Sequence, residues 1–202
     1  MFADALLRCL GDTSRLSGDQ VRRLEQHHGM LVRWNKVLNL TSIRTLEEAI
    51  ERHYGESVFL AAHLPAGVLS IADVGSGAGF PGIPIAVVRP DCRVTLIEAH
   101  RRKAVFLREA ARDLPNVTVI ADRAESVHQS FDIAVSRAVK LESLLSILPG
   151  LASKIMLLAG QNDKEAVRGV LWDAPIPLPW GARRFLRIGH VLPNVPRETR
   201  ST

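Results

Sequence analysis

The stretch IADVGSGAGFPG, residues 71–82, places four glycines within eight positions directly after a short apolar run. Glycine has no Cβ, so a loop of this composition accepts positive φ values and lets a ligand approach the backbone closely. Asp73 precedes the first of these glycines, and Glu98 ends the next apolar run. The pattern is typical of a turn that binds a ligand containing a nucleoside.

Two registers fit these glycines. Gly75, Gly77 and Gly79 form GxGxG after Asp73, whereas residues 77–82 form GxGxxG, the dinucleotide fingerprint. Glu98 lies ~20 residues on from either register, the distance at which an acid reaches a ribose hydroxyl. The Asp73 carboxylate would repel a pyrophosphate but attract an ammonium group, which favours the first register. A ligand that joins an amino acid to a nucleoside fits best, and S-adenosylmethionine is that ligand. A bound dinucleotide and a purely structural turn are the alternatives.

Further polar residues follow the next apolar runs. Asp122 and the pair Ala124 and Glu125 come where an adenine ring would lie, although a solvated loop capped by Asp122 explains the spacing equally well. Arg137 ends a later run and is predicted to point into the same crevice. An arginine there clamps a carboxylate or holds a phosphate; the alternative is a surface arginine paired with an acid.

These residues need a sheet to bring them together. After residue 67, apolar runs alternate with helical patterns, which predicts an α/β fold with a doubly wound, mostly parallel sheet. The predicted strands are residues 68–74, 93–98, 117–122, 132–136 and 154–158, with helices over 83–88 and 101–113, and residues 170–191 are predicted to form a C-terminal antiparallel hairpin.

The first third of the chain has helical periodicity. Capping boxes begin at Ser17 and Thr45. The first helix would bury a face with a three-and-four spacing, and the second would bury His53 or Tyr54. We therefore expect an N-terminal helical extension over residues 1–66 and a single compact α/β domain over 67–202. The predicted buried face of the first helix consists of Val21, Leu24, His28, Leu31, Trp34 and Leu38.

Composition narrows the class of protein. Hydrophobic residues make up 47% of the 202-residue chain and charged residues 23%, as in ordinary globular domains. Apolar runs are too short for a membrane span, and Asp4 lies where a signal peptide would carry basic residues. Two cysteines without metal spacing fit a reducing compartment, so we expect a cytoplasmic protein without a metal. The net charge of +5 makes a polyanionic partner plausible.

Two motifs together resemble the RsmG-type (GidB) family of bacterial 16S rRNA guanine-N7 methyltransferases. They are WNKVLNLTS at residues 34–42 and the GFPGIP extension of the glycine turn at residues 79–84, and the resemblance spans roughly residues 20–160. It implies that residues 67–202 form a class I, Rossmann-like methyltransferase domain and that residues 1–66 are its N-terminal helical extension. The implied cofactor is S-adenosylmethionine, and the implied partner is the 16S rRNA of the small ribosomal subunit.

The resemblance also implies roles for single residues. Gly75 and Phe80 are similar to cofactor contacts, Ala124 and Glu125 to the pair beside the adenine, and Arg137 to the family's cofactor-site arginine. The chain departs from the family pattern in its C-terminal strands, around Trp172 to Val191, which show little resemblance, and at two single residues. Alanine stands at Ala159, where the family usually has lysine, and glutamate at Glu56, where it has aspartate.

The implied reaction needs no general base, because guanine N7 carries a lone pair and no proton. Orientation of donor and acceptor would then supply most of the rate. Arg137 and Ser136 are the candidate catalytic residues, and we hypothesise that Ser136 accepts a hydrogen bond beside the cationic product base. Rival functions are a small-molecule or protein methyltransferase of this fold, a non-catalytic ribosome-binding module and a dinucleotide oxidoreductase.

Clustered basic residues are the candidates for RNA contact, with a solvated helix face as the alternative. Such clusters bind the phosphates of RNA through charge, independently of the base sequence. We expect the protein to be a monomer. The predicted RNA contacts are Arg101, Arg102, Lys103, Arg183 and Arg184.

Overall fold

One sheet organises the part of the chain that the computed structural model describes, which is residues 1–137, 143–144, 146–160, 169–180 and 183–192. Its strand order is β3-β2-β1-β4-β5-β8-β6, with β7 paired to β8. The strands are β1 (Ser70–Val74), β2 (Arg93–Ile97), β3 (Val117–Ile120), β4 (Phe131–Arg137), β5 (Ala152–Gly160), β6 (Val170–Trp172), β7 (Ile176–Pro177) and β8 (Arg184–Val191).

The sheet is parallel from β3 to β5, and β8 runs antiparallel to β5, β6 and β7. The predicted α/β sheet and its C-terminal antiparallel strands are therefore confirmed, and β7 is an additional short strand. The chain order reverses between β1 and β4, which are neighbours in the sheet. In open parallel sheets, ligands bind beyond the carboxyl ends of the strands at such a reversal.

Helices cover the sheet. The box at Ser17 has both reciprocal hydrogen bonds, and the Thr45 side chain accepts from Glu48 N, so both predicted helix starts are confirmed. None of the helices among the described residues is long and apolar enough to cross a membrane. The helices are α1 (Phe2–Leu10), α2 (Gly18–Leu38), α3 (Leu46–Ala49), α4 (Glu56–Ala62), α5 (Gly82–Val88), α6 (Arg101–Ala110) and α7 (Leu148–Leu151).

A π-helical segment, Ile50–Gly55, joins α3 to α4. Its wider turns bury both His53 and Tyr54, at 2% and 0% exposure, where regular helical spacing predicted only one of them. Single π turns inside helices are frequent at functional sites. Here the segment brings two polar aromatic side chains, instead of one, against Phe80 at the end of the glycine turn.

The N-terminal helices share a single hydrophobic core with one face of the sheet. Leu6, Leu24 and Tyr54 from the first 62 residues belong to the same buried cluster as Ile83 of α5 and Phe106 of α6. The opposite face of the sheet has its own cluster around α7. Burial of apolar surface drives folding, so the helices that precede the sheet contribute directly to the stability of its binding edge.

Close packing fixes the start of α5 against the sheet. A Cβ built on Gly82 would lie 2.6 Å from Asp73 Oδ2 and would overlap the side chain of Leu96. Any larger residue at position 82 would therefore push the glycine turn away from β1 and β2.

We expect Gly82→Ala to lower the free energy of unfolding by about 1–3 kcal/mol, because the added methyl overpacks the contact. The matched control is Gly29→Ala in α2, where the new Cβ meets only Arg33 Nη1 at 3.8 Å. That control should leave stability unchanged or raise it by up to ~1 kcal/mol through helix propensity. Urea unfolding measures both, and equal stabilities of the two variants would contradict the packing account.

Candidate functional site

The glycine turn begins where β1 ends. Gly75, Gly77 and Gly79 have φ values of 72°, 55° and 88°, a region that other residues rarely adopt. The amides of Gly75 and Ser76 both donate to Ile97 O at the end of β2, at 2.9 and 3.2 Å. The turn therefore folds onto the neighbouring strand, and its three glycines leave the backbone uncovered between the buried side chains of Ser76 and Ala78.

Asp73 is completely buried at the end of β1. Its Oδ2 accepts a hydrogen bond from Gly82 N at 3.0 Å, so this carboxyl fixes the turn to α5. Its Oδ1 is also buried and has no hydrogen-bond partner among the described residues. Burial raises the pKa of Asp73 to about 7, and two groups oppose this only in part: the amide of Gly82 and the hydroxyl of Ser76, which donates to the main-chain oxygen of Asp73 at 2.9 Å. An ammonium group or another donor that reached Oδ1 would satisfy the buried atom.

Glu98 lies beside the turn, as its spacing predicted. Its Oε2 accepts from Gly77 N at 2.9 Å and its Oε1 from His100 N at 2.7 Å. The side chain is thus held in one orientation at the end of β2, and each carboxylate oxygen retains a lone pair for a ligand hydroxyl.

The residues after β3 lie further along the same edge of the sheet. Asp122 is exposed and its Oδ1 accepts from Arg123 N at 2.7 Å. Ala124 and Glu125 belong to one 3₁₀ turn, Ala124–Ser126, in which Ala124 is half-buried and Glu125 exposed. Their predicted place beside an adenine stays a prediction.

Ser136 is buried at the end of β4, and its hydroxyl donates to Val74 O at 2.8 Å. The hydroxyl proton is therefore committed to the neighbouring strand. The Ser136 oxygen keeps lone pairs, so it can still accept a hydrogen bond beside a cationic base. That predicted role stays a prediction.

Arg137 is held at one corner of its guanidinium. Nη1 donates to Arg52 O at 2.5 Å and to His53 Nδ1 at 2.6 Å. The guanidinium carbon lies 5.4 Å from the centre of the Phe80 ring. Burial lowers the pKa of Arg137 to about 10, so the side chain remains a cation at neutral pH. Its Nε and Nη2 make no hydrogen bond to any residue that the structure describes.

His27 is a contact that the sequence analysis missed. His28 was predicted to face the core, but His27 is the buried one, at 3% exposure, and His28 is half-buried. His27 Nε2 lies 3.1 Å from Ala78 O in the glycine turn, and its Nδ1 lies 2.9 Å from the Tyr54 hydroxyl. The spacing Leu24, His27, Leu31 also follows one helix face and was the available signal.

The WNKVLNLTS segment ends α2 and then turns toward the site. Asn39 is the left-handed C-cap, with φ 48°. Asn35 binds the backbone of Thr41 on both sides, accepting from its amide at 2.9 Å and donating to its carbonyl at 3.0 Å. Thr41 Oγ1 in turn lies 2.9 Å from His53 Nε2. The segment therefore terminates the helix and also joins a polar chain that reaches Arg137.

The predicted RNA contacts fall into two groups. Arg101 and Arg102 are exposed and Lys103 half-buried at the start of α6, which follows β2 at the binding edge. Arg183 is exposed before β8. Arg184 differs from the prediction of a surface contact, because its Nε and Nη2 donate to the two oxygens of Glu56 at 2.9 and 2.6 Å. A phosphate role for these residues stays a prediction.

No group of three or more potential metal ligands occurs within the described ranges.

The Glu56–Arg184 pair yields a stability prediction. Glu56 is 1% exposed, so removing Arg184 breaks both hydrogen bonds of a buried carboxylate and leaves it only the charge of nearby Arg137, which costs about 3 kcal/mol. We expect Arg184→Met to lower the free energy of unfolding by that amount. The exposed neighbour is the control, since Arg183→Met should change it by less than about 0.5 kcal/mol. Thermal unfolding distinguishes the two, and equal effects would refute a structural role for Arg184.

Solved structures with the same architecture include a SAM-dependent methyltransferase from Aquifex aeolicus. It aligns with a TM-score of 0.57 over 72% of this chain and 93% of its own, at 17% identity. A TehB-like SAM-dependent methyltransferase from Corynebacterium glutamicum aligns with a TM-score of 0.51 over 83% of this chain and 99% of its own, at 15% identity. These likenesses confirm the predicted fold class.

Sequence relatives are closer. The protein named ribosomal RNA small subunit methyltransferase G from Chromobacterium violaceum is 39% identical over 183 residues, which cover 88% of this chain and 83% of that protein. The protein of the same name from Halorhodospira halophila is 42% identical over 156 residues, or 76% and 72% of the two chains. The GidB family model, described as rRNA small subunit methyltransferase G, matches residues 20–169. With this match over most of its length, and with the glycine turn, Asp73 and Arg137 gathered at the switch point of its sheet, the chain belongs to the GidB family of rRNA small subunit methyltransferases.

Proposed function

We propose that this protein transfers a methyl group from S-adenosylmethionine to N7 of a guanine in the 16S rRNA of the small ribosomal subunit. Family membership supports the reaction and the RNA substrate. The assignment of S-adenosylmethionine as the cofactor rests on one observation, which is a pair of oppositely charged side chains at the ends of the neighbouring strands β1 and β4. Asp73 offers a buried, unpartnered oxygen, and Arg137 offers the Nε and Nη2 edge of its guanidinium.

The pair matches the two charged groups of a free amino acid. Asp73 and Arg137 are near enough for each to shift the pKa of the other. A carboxylate suits the Arg137 edge because two parallel hydrogen bonds form there, and an ammonium group suits Asp73 Oδ1. The methionine part of S-adenosylmethionine carries both groups, whereas a dinucleotide carries neither.

Other residues suit the nucleoside part. Glu98 is held beside Gly77, where its carboxylate would accept from the ribose hydroxyls. Ala124 and Glu125 follow β3 and would lie beside the adenine ring. The three positive-φ glycines leave room for the ligand against the backbone. When bound, the cofactor supplies an electrophilic methyl group on a positively charged sulfur.

The residues of the chain then bind and orient rather than move protons. Guanine N7 presents its lone pair directly, so no side chain has to remove a proton from it. His53 accepts a hydrogen bond from Arg137 and so orients its positive charge. Ser136 offers a hydroxyl oxygen at the end of β4. Alignment of donor and acceptor is the main source of rate acceleration in such a site.

The RNA would approach the same edge. Arg101 and Arg102 begin α6, one short loop after Glu98, and are exposed. Together with Lys103 and Arg183 they would contact phosphates and make binding weaken as salt rises.

We further propose that the protein works in the cytoplasm, without a metal and as a monomer.

Methyl transfer from radiolabelled S-adenosylmethionine to small subunits that lack the modification tests this function. Cleavage mapping of N7-methylguanine should show one labelled position in 16S rRNA, and subunits that already carry the modification should take up no label. Label at another atom or in another acceptor would contradict the proposed substrate. Failure to bind the cofactor would contradict the proposal as a whole.

The buried carboxyl predicts a pH dependence of cofactor binding. Since the pKa of Asp73 is about 7, the carboxylate that attracts an ammonium group is lost as the pH falls below that value. We expect the Kd of S-adenosylhomocysteine, measured by calorimetry, to rise about tenfold between pH 7.5 and 5.5. Asp73→Asn keeps an acceptor for Gly82 N but should bind more weakly at pH 7.5 and lose this dependence.

The control is Asp132→Asn at the opposite end of β4. Asp132 accepts bonds from Ser70 at the amino edge of the sheet, and these bonds lower its pKa. This variant should retain the wild-type pH profile. A profile unchanged in Asp73→Asn would exclude Asp73 as the group that responds.

A further inference from the structure

We propose that His53 is the positioning residue of this site: it anchors Arg137 at Nη1, so that the opposite edge of the guanidinium is presented to the cofactor's carboxylate. The inference rests on the proposed function, because it assigns that carboxylate to Arg137. It concerns a residue of the N-terminal helices, 84 positions before Arg137 in the chain.

The directions of the hydrogen bonds follow from the chemistry of the groups. Arginine has only donors, so Nδ1 of His53, 2.6 Å from Arg137 Nη1, must accept. A neutral imidazole with an unprotonated Nδ1 carries its proton on Nε2. That proton is donated to Thr41 Oγ1 at 2.9 Å. The contacts of His53 therefore select one tautomer, and that tautomer is the one that can hold Arg137.

Burial keeps His53 in the accepting state. The ring is 2% exposed, and burial, followed by the positive charge of Arg137, lowers its pKa to about 2. A protonated His53 would have no nitrogen lone pair to accept from Arg137, and its charge would repel the guanidinium. At any pH at which the protein works, Nδ1 is thus available to Arg137.

The ring of His53 is also fixed from its face. It stacks on Phe80 with the ring centres 4.4 Å apart and an interplanar angle of 11°. Arg137 lies over the same Phe80 ring, 5.4 Å from its centre. The position of Phe80 in the glycine turn therefore sets the position of both side chains, and Thr41 holds the ring from its far edge.

Two bonds then orient the guanidinium. Nη1 uses its two protons on Arg52 O and His53 Nδ1. The Nε and Nη2 protons point along the other edge, which is the geometry that binds a carboxylate through two parallel bonds. Because Arg52 contributes a backbone carbonyl, His53 is the side chain whose replacement can release the guanidinium while the backbone stays in place.

A pair of substitutions separates this role from simple packing. His53→Phe keeps the stack on Phe80 and removes both ring nitrogens. His53→Asn places an amide oxygen near the position of Nδ1 and can still accept from Arg137. We expect the Kd of S-adenosylhomocysteine to rise about tenfold or more in His53→Phe, as for the loss of a hydrogen bond to a charged group, and to stay within about threefold of wild type in His53→Asn.

A double-mutant cycle tests whether His53 acts through Arg137. In an Arg137→Ala background, His53→Phe should change the Kd little further, since the group that it positions is gone. Equal effects of His53→Phe in both backgrounds, or an unchanged Kd in His53→Phe alone, would overturn the proposal. Wild-type protein that binds no cofactor would instead refute the proposed function.

Nitrogen NMR of the wild-type protein gives an independent readout should a variant fail to fold. We expect His53 to carry its proton on Nε2, with an unprotonated Nδ1 and no titration between pH 5 and 9. A proton on Nδ1, or a protonation step in that range, would overturn it.

Discussion

The contact between the Asp73 carboxyl and the Gly82 amide is the constraint on which the rest of the site depends. It joins the end of β1 to the start of α5 at 3.0 Å, in a space that has no room for a Cβ at position 82. With these two points fixed, the glycines between them must take positive φ values to close the turn. The same contact uses one carboxyl oxygen and leaves the other buried without a partner among the described residues. A structural bond thereby leaves a buried polar atom that a donor group of a ligand could satisfy.

The N-terminal helices supply two histidines that contact the binding edge of the sheet. His27 of α2 reaches the turn at Ala78 O, and His53 of the π-helical segment reaches Arg137 at the end of β4. Both histidines are buried, and burial lowers the pKa of His27 to about 4 and that of His53 to about 2, so both rings stay neutral and can accept as well as donate. The helices therefore orient the binding residues as well as cover the hydrophobic face of the sheet.

The sequence predicts the parts of this site that follow local rules. Alternating apolar runs predict the parallel strands, and their carboxyl ends bring Asp73, Glu98 and Arg137 to one edge. Capping boxes predict where α2 and α3 begin. Contacts between distant segments have no such signature. Glu56 and Arg184 are 128 positions apart, so the ion pair that occupies Arg184 has no sequence signal. The choice between His27 and His28, and the burial of both His53 and Tyr54, depend on helix rotation and π turns that a regular periodicity does not encode.

A crystal structure with S-adenosylhomocysteine tests the central claim most directly, because the account assigns each charged group of the ligand to one side chain. We expect the ligand's carboxylate to lie on the Nε and Nη2 edge of Arg137, with Nη1 still bound to His53, and its ammonium group to lie within reach of Asp73 Oδ1. The ribose hydroxyls should lie on Glu98. A ligand whose amino-acid end lies away from both Asp73 and Arg137 would contradict the account, even if the ligand occupied the glycine turn.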